Sequence, residues 1–204
     1  MKKSAGLIVG VFVLCFSLSL PFPAQAQNYL VLKGGIYSPQ NEKLYDFDSG
    51  FNGELAFGRY FNKNLALEVA SGYFKTRATK SASPEFASAE ATLDFNLVPL
   101  TGALRAVIPL GAFELYGLGG GGAYFLWTDS SVSTNNRSAS SSDKYNQTLA
   151  GGFLGAGATI KISPTVFLGL EGKYLWTTNL TLDNLETDIN LNGIQATFNL
   201  GFLF

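Results

Sequence analysis

The sequence predicts an all-β protein, an eight-stranded antiparallel barrel with up-and-down connections that crosses a membrane. Three observations predict it. The final segment, Gly193-Ile-Gln-Ala-Thr-Phe-Asn-Leu-Gly-Phe-Leu-Phe204, places Ile194, Phe198, Leu200, Phe202 and Phe204 at alternate positions and Gln195, Thr197, Asn199 and Gly201 between them. A period of two is a strand with one apolar and one wet face. That apolar face ends on an aromatic with no further chain to cover it, and lipid is a natural cover. The same alternation recurs along the chain, and the connections between its segments are alternately short and long.

The first residues read as a secretory signal peptide. Lys2 and Lys3 supply the positive region, residues 7–20 are almost all apolar, and Ala24-Gln25-Ala26 puts small residues where a signal peptidase reads. The cut is expected after Ala26, before Gln27, which gives a signal over residues 1–26 and a single barrel domain over 27–204. The apolar core is too short for a comfortable helical span. Cys15 follows Leu14 instead of the small residue a lipoprotein signal needs.

Eight strands are read along the rest of the chain. The first covers about 28–38, with Leu30, Leu32 and Ile36 opposite Tyr29, Lys33 and Tyr37. The second, about 50–61, sets Phe51, Leu55 and Phe57 against Asn52 and Glu54. The third, about 65–75, sets Leu65, Leu67, Val69 and Tyr73 against Glu68. The fourth, about 88–108, begins with Ala91, Leu93, Phe95 and Leu97 on the apolar face. Beyond Pro99 that face passes to Leu100, Leu104 and Ile108, with Thr101 and Arg105 opposite. A proline with a parity change predicts a bulge. The fifth to eighth strands are read at about 113–127, 147–162, 166–177 and 189–204. In the seventh, Val166, Leu168, Leu170, Tyr174 and Trp176 oppose Gly169, Glu171 and Lys173.

Short turns at 61–64, 109–112 and 163–165 alternate with long polar links at 39–49, 76–87, 128–146 and 178–188. Short turns on one side and long loops on the other are the pattern of an outer-membrane barrel, with the short side periplasmic. A hidden hairpin in 76–87 would raise the count to ten strands. The Ser/Asn-rich link 128–146 is read as an extracellular loop. The sequons at Asn136, Asn146 and Asn179 are read as chance matches.

Composition excludes several classes of function. The whole chain has no histidine, which removes Ser-His-Asp hydrolysis, histidine-ligated metals and the ordinary general base. The one cysteine lies within the signal, so no disulfide or thiol chemistry remains after cleavage. A net charge of −1, made more negative when the signal takes two lysines away, does not suit a nucleic-acid binder. No stretch after the signal approaches the roughly 18 apolar residues of a membrane helix. An enzyme is not expected, and neither is a cofactor or a metal. Gly117-Leu-Gly119-Gly-Gly-Gly122 fits the dinucleotide-binding pattern, yet the next residues, Ala123-Tyr-Phe-Leu-Trp127, are strand-like, not helical. These glycines, with Gly151, Gly152, Gly155 and Gly157, are read as relief for a sharply curved wall.

The candidate site is the wet face. Lys33, Glu54, Glu68, Arg105, Glu114, Glu171 and Lys173 all fall on it, with Arg59 facing out near a turn. Eight strands leave an interior just wide enough for side chains. Lys33, Glu68, Arg105 and Glu171 lie at similar heights and are expected to pair across the lumen. Two readings stand: a polar core that fills the barrel, or a narrow conduit lined by these charges. Tyr29, Tyr73, Trp127, Tyr174, Trp176, Phe202 and Phe204 are read as interfacial girdles.

Tyr29-Leu-Val-Leu-Lys-Gly-Gly-Ile-Tyr-Ser-Pro39, Asn64-Leu-Ala-Leu-Glu-Val-Ala-Ser-Gly-Tyr73, Leu115-Tyr-Gly-Leu-Gly-Gly-Gly-Gly-Ala-Tyr-Phe125 and the Phe204 terminus resemble the small outer-membrane β-barrel proteins of Gram-negative bacteria. That group includes the transmembrane domain of outer membrane protein A and stand-alone relatives of the OmpX type. The resemblance implies a bacterial outer-membrane location after Sec export, contact with lipid and lipopolysaccharide, help from periplasmic chaperones, and a monomer. It also implies that Phe198, Leu200, Phe202 and Phe204 form the signal read by the barrel-assembly machinery. The peptidoglycan-binding domain of larger members has no counterpart in the sequence. The implied function is structural or surface interaction through the extracellular loops, with a narrow porin-like channel for ions or small hydrophobic solutes as the alternative.

Overall fold

The structure is a computed structural model that describes residues 27–40, 46–82, 89–134, 137–139, 145–179, 181–182, 185–186 and 190–204. The signal peptide and its cut beside Ala24 and Ala26 lie outside the described residues. Gln27 is the first described residue and is exposed.

Eight long strands form the barrel: β1 (Asn28–Pro39), β2 (Asp46–Asn62), β3 (Leu65–Ala82), β4 (Ala89–Leu110), β5 (Phe113–Thr134), β6 (Tyr145–Lys161), β7 (Val166–Thr177) and β8 (Gly193–Leu203). Each pairs antiparallel with its neighbours in sequence. The first and last strands close the ring, in register from Tyr29 opposite Leu203 to Pro39 opposite Gly193. At the seam Asn28 and Phe204 exchange backbone hydrogen bonds of 3.0 and 2.9 Å. No helix occurs among the described residues.

The turns at the short end follow from their residues. Gly111 adopts φ +75°, a left-handed conformation that glycine enters without penalty. The Asn62 side chain accepts from the Asn64 amide at 2.8 Å, and the Ser163 hydroxyl accepts from the Val166 amide at 3.0 Å.

At the other end the strands outrun the sequence reading. β3 and β4 stay paired as far as Ala82 opposite Ala89, so most of the expected 76–87 loop is ladder. β5 runs on to Thr134, and Arg137–Ala139 pairs back onto Val132–Thr134. Residues 76–82 and 128–134 carry no apolar alternation, so the pairing there is not written in the hydrophobic pattern. Among the described residues, Arg137–Ala139 joins the sheet only through β5, and the closed ring keeps eight strands. Thr181–Leu182 pairs with Leu185–Glu186 in a separate small ladder, and β8 begins at Gly193.

The alternation sorts side chains as a lipid-embedded barrel requires. Leu32, Ile36, Leu55, Leu104, Leu154, Leu170, Phe198, Phe202 and Phe204 are exposed on the outer face. Tyr73, Trp127, Tyr174 and Trp176 are also exposed there, toward the long-loop end. Tyr29 is the exception among the expected girdle residues: it points into the lumen and is fully buried.

The expected bulge at Pro99 is absent. β4 and β5 keep one register from Ala89 opposite Thr134 to Leu110 opposite Phe113, so parity never changes. Pro99 therefore faces inward, and Leu97 faces inward with it, fully buried, instead of outward. The side chains of Ala91, Leu93 and Phe95 lie outside the described residues. Proline's missing N–H shows as a lapse in the β3–β4 ladder instead, between Ser71 opposite Leu100 and Phe74 opposite Leu97.

Glycines thin the β5–β6 wall, where Gly120, Gly121 and Gly122 oppose Phe153, Gly152 and Gly151. The G-x-G-x-x-G match thus lies inside a paired strand. A Cβ on Gly120 would stand 2.1 Å from the Gly102 carbonyl oxygen, whereas one on Gly102 would meet nothing within 4 Å. Gly120→Ala is therefore expected to lower stability by about 1–3 kcal/mol. Gly102→Ala is expected to be neutral or stabilising by up to about 1 kcal/mol. Urea unfolding of the two variants in vesicles, followed by the electrophoretic shift between folded and unfolded barrel, checks the pair.

Candidate functional site

Strand parity turns one row of side chains from every strand into a lumen too narrow for bulk water. All seven charged residues picked out on the wet face, Lys33, Glu54, Glu68, Arg105, Glu114, Glu171 and Lys173, are buried there. Six of them meet in one layer. The Lys33 ammonium donates to Glu68 at 2.6 Å and to both oxygens of Glu171 at 3.0 and 3.1 Å. Lys173 donates to both oxygens of Glu54 at 3.1 and 3.0 Å, and lies 3.3 Å from Glu171. Arg105 Nη1 is 3.9 Å from Glu68. Three cations thus face three carboxylates, and the layer carries no net charge.

Neutral groups complete the layer. The Tyr29 hydroxyl donates to Glu68 at 3.1 Å, and the Tyr116 hydroxyl donates to Glu171 at 2.9 Å. The Gln195 amide donates to Glu54. Asn199 donates to the Tyr116 hydroxyl at 3.3 Å and accepts from Thr197 at 3.0 Å. The Arg105 guanidinium lies over the Tyr116 ring at 3.5 Å and near the Tyr29 ring at 5.6 Å. Every barrel strand except β6 supplies a member.

Glu114 stands apart, nearer the short turns. It pairs with half-exposed Lys161 at 2.7 Å and accepts from Tyr60 at 3.2 Å and Thr159 at 3.4 Å. This second cluster brings in β6.

Apolar groups close the lumen beyond the charges. Toward the long loops, Tyr37, Phe74, Leu97, Tyr124, Leu126, Leu149, Phe153, Leu175 and Leu191 pack together, and the Tyr37 hydroxyl donates to the Leu191 carbonyl. Toward the short turns, Tyr29, Val31, Ala56, Ala66, Phe167 and Leu203 form a smaller cluster. A cavity of about 10 Å³, the size of one water, lies between the upper cluster and the charges, lined in part by Glu54, Phe74, Pro99 and Lys173.

Sequence alone does not mark several members of the layer as partners. Gln195, Thr197 and Asn199 are legible only as wet-face residues. Tyr29 and Tyr116 have the correct parity, but an aromatic in a lumen has no signature of its own. Phe198, Phe202 and Phe204 are exposed on the outer face, and Leu200 is half-buried.

Residues 11–202 match the family model for the outer membrane protein beta-barrel domain. Among solved structures, the chain is similar to a major outer membrane protein of Thermus thermophilus. That match has 12% identity, covers 88% of this chain and 99% of the other, and has a TM-score of 0.56. It is similar also to the outer membrane protein OprG of Pseudomonas aeruginosa, at 14% identity over 87% of this chain and 96% of the other, with a TM-score of 0.53. Likeness at such identities speaks for the fold alone. A search of the curated proteins found no match.

Lys33 is the cation that two buried carboxylates share. Lys33→Met leaves Glu68 and Glu171 short of a partner inside the barrel, and the expected loss is about 3–5 kcal/mol. Lys161→Met, at the half-exposed pair, is expected to cost under about 1 kcal/mol. Urea midpoints of both variants check this, and equal midpoints would mean that the buried layer does not hold the barrel together.

Proposed function

Because the chain belongs to the outer membrane protein beta-barrel domain family, we propose that it is an integral outer-membrane barrel with a filled lumen whose role is exercised at its surface. The observation that supports this reading best is the pairing of Lys33, Lys173 and Arg105 with Glu54, Glu68 and Glu171 between two apolar clusters. A conduit for ions needs charges that face water. Here each cation lies within 3.9 Å of a carboxylate, and the cavity beside them is about one water in volume. On this reading the barrel is a stable mount, and the connections at the long-loop end make contact with whatever the protein engages.

The biogenesis that goes with this reading starts with Sec export and cleavage between Ala26 and Gln27. Periplasmic chaperones then carry the chain. The assembly machinery reads Phe198, Leu200, Phe202 and Phe204 as the closing strand enters outer-membrane lipid and lipopolysaccharide. The barrel acts as a monomer, without a cofactor. No enzymatic role is assigned, since the chain lacks the histidine that the common hydrolytic mechanisms use.

The competing reading, a narrow porin-like channel, is separated by one experiment. The protein is expected to give no conductance steps in a planar bilayer, and Glu54→Gln is expected to leave that silence unchanged. Reproducible steps in the native protein, with ion selectivity altered by Glu54→Gln, would replace the filled barrel with a pore.

A further inference from the structure

Two inward rows of side chains climb the upper lumen and end on one short segment. On β7 the row runs Glu171, Lys173, Leu175, Thr177, and on β1 it runs Lys33, Gly35, Tyr37, Pro39. At their top lies Asn190-Leu191-Asn192, which leads from the long β7–β8 connection into β8. Leu191 belongs to no strand, yet it is fully buried in the upper apolar cluster. A connection buried in this way needs partners for its backbone, and all four backbone groups of Leu191 and Asn192 have one. The Leu191 amide donates to the Thr177 hydroxyl at 2.9 Å, and its carbonyl accepts from the Tyr37 hydroxyl. The Asn192 amide donates to the Asn190 side chain at 3.3 Å, and its carbonyl accepts from the Gln40 amide at 2.7 Å. The Asn192 side-chain oxygen accepts from the Thr177 amide at 2.9 Å.

We propose that Asn190–Asn192 is a lid on the lumen, with Leu191 as its stopper and the Thr177 and Tyr37 hydroxyls as its catches. Three of the four backbone groups are held by side chains, which let go by turning, whereas a barrel strand is held by its neighbours' backbone. Lifting the segment breaks no rung of the barrel, because the ladders of β8 with β1 and with β7 both begin at Gly193. With the lid lifted, the inner faces of Tyr37 and Leu175 meet water from the long-loop end. The opening stops at the ion layer, where Glu54, Lys173 and Gln195 are bonded to one another and to no group of the lid. The lumen then has two closures of different kinds, a releasable apolar one at the long-loop end and a fixed ionic one below it. The lid is the last part of the β7–β8 connection, so a contact that draws on that connection draws on Leu191. The fixed floor rests on the filled-lumen reading given above; the lid does not.

The test uses the full chain, isolated folded from outer membranes and reconstituted in phospholipid vesicles, with Cys15→Ser so that an introduced cysteine is the one thiol present. Leu175→Cys reports from beneath the lid and Thr197→Cys from within the ion layer, both buried positions. Thr178→Cys, exposed beside the catch, gives the rate of unhindered reaction. The probe is trimethylammonium-ethyl methanethiosulfonate, a small charged thiol reagent, with adducts followed by mass spectrometry. The thiol at 175 is expected to react far more slowly than the one at 178. Thr177→Val and Tyr37→Phe each remove one catch, and each is expected to speed reaction at 175 about fivefold, the worth of one hydrogen bond in a local opening. The thiol at 197 is expected to stay protected in both, whereas a general loosening of the barrel would expose it too. The catches stand on different strands, so either variant decides should the other fail to fold. No acceleration at 175, with 197 protected, overturns the lid and leaves the filled lumen standing. Reaction at 197 together with 175 shows that the floor is not fixed, and both readings fall.

Discussion

The fold depends on the pairing of its first strand with its last. In hydrocarbon there is no water to satisfy an unpaired N–H or C=O, so a sheet with two free edges cannot remain there. The β1–β8 ladder removes both edges at once, and its register brings Asn28 and Phe204 within hydrogen-bonding distance of each other. Closure then dictates the rest. A closed ring of eight strands has an inside and an outside, alternate residues are assigned to one or the other, and the interior is only as wide as the side chains that fill it. The buried charges, the apolar clusters above and below them and the exposed outer belt all follow from that single requirement.

Why such an interior should hold ions is a separate question, because buried ion pairs are weak sources of net stability. Their value here lies in what they forbid. A strand whose two faces were equally apolar could be inserted with either face toward lipid, and a slip of one residue would exchange the two. Lys33, Glu54, Glu68, Arg105, Glu171 and Lys173 make that exchange prohibitive, since it would move several unpaired charges into hydrocarbon. The layer also joins seven of the eight strands through side chains instead of backbone, so it fixes the strands in rotation as well as in register.

Most of the architecture is legible in the sequence, and the reason is physical. Within the membrane the solvent differs on the two faces of each strand, and the residue pattern records the difference with a period of two. The reading fails wherever that contrast disappears. β3 and β5 continue to Ala82 and Thr134 through Thr-, Ser- and Ala-rich segments that lack the alternation and resemble loops. Leu97 reads as lipid-facing because it is apolar, yet the upper lumen is apolar too, and hydrophobicity alone cannot tell an inner cap from an outer belt. Tyr29 misleads for the related reason that a tyrosine suits an interface and a buried carboxylate equally well. The charges are the most legible part of the candidate site, since an ion has only one tolerable face in such a strand. Their partners are not, because strand tilt, which decides who meets whom across the lumen, leaves no trace in a linear pattern.

The closing ladder also has a meaning in time. The two strands that seal the barrel come from opposite ends of the chain, so the last contact to form is the one with the longest loop to close, and folding driven by such distant pairings is slow. Every intermediate before that moment exposes two strand edges and an apolar face, the combination that invites association with other chains. The state with the most unpaired edge is thus the one that immediately precedes the closed barrel.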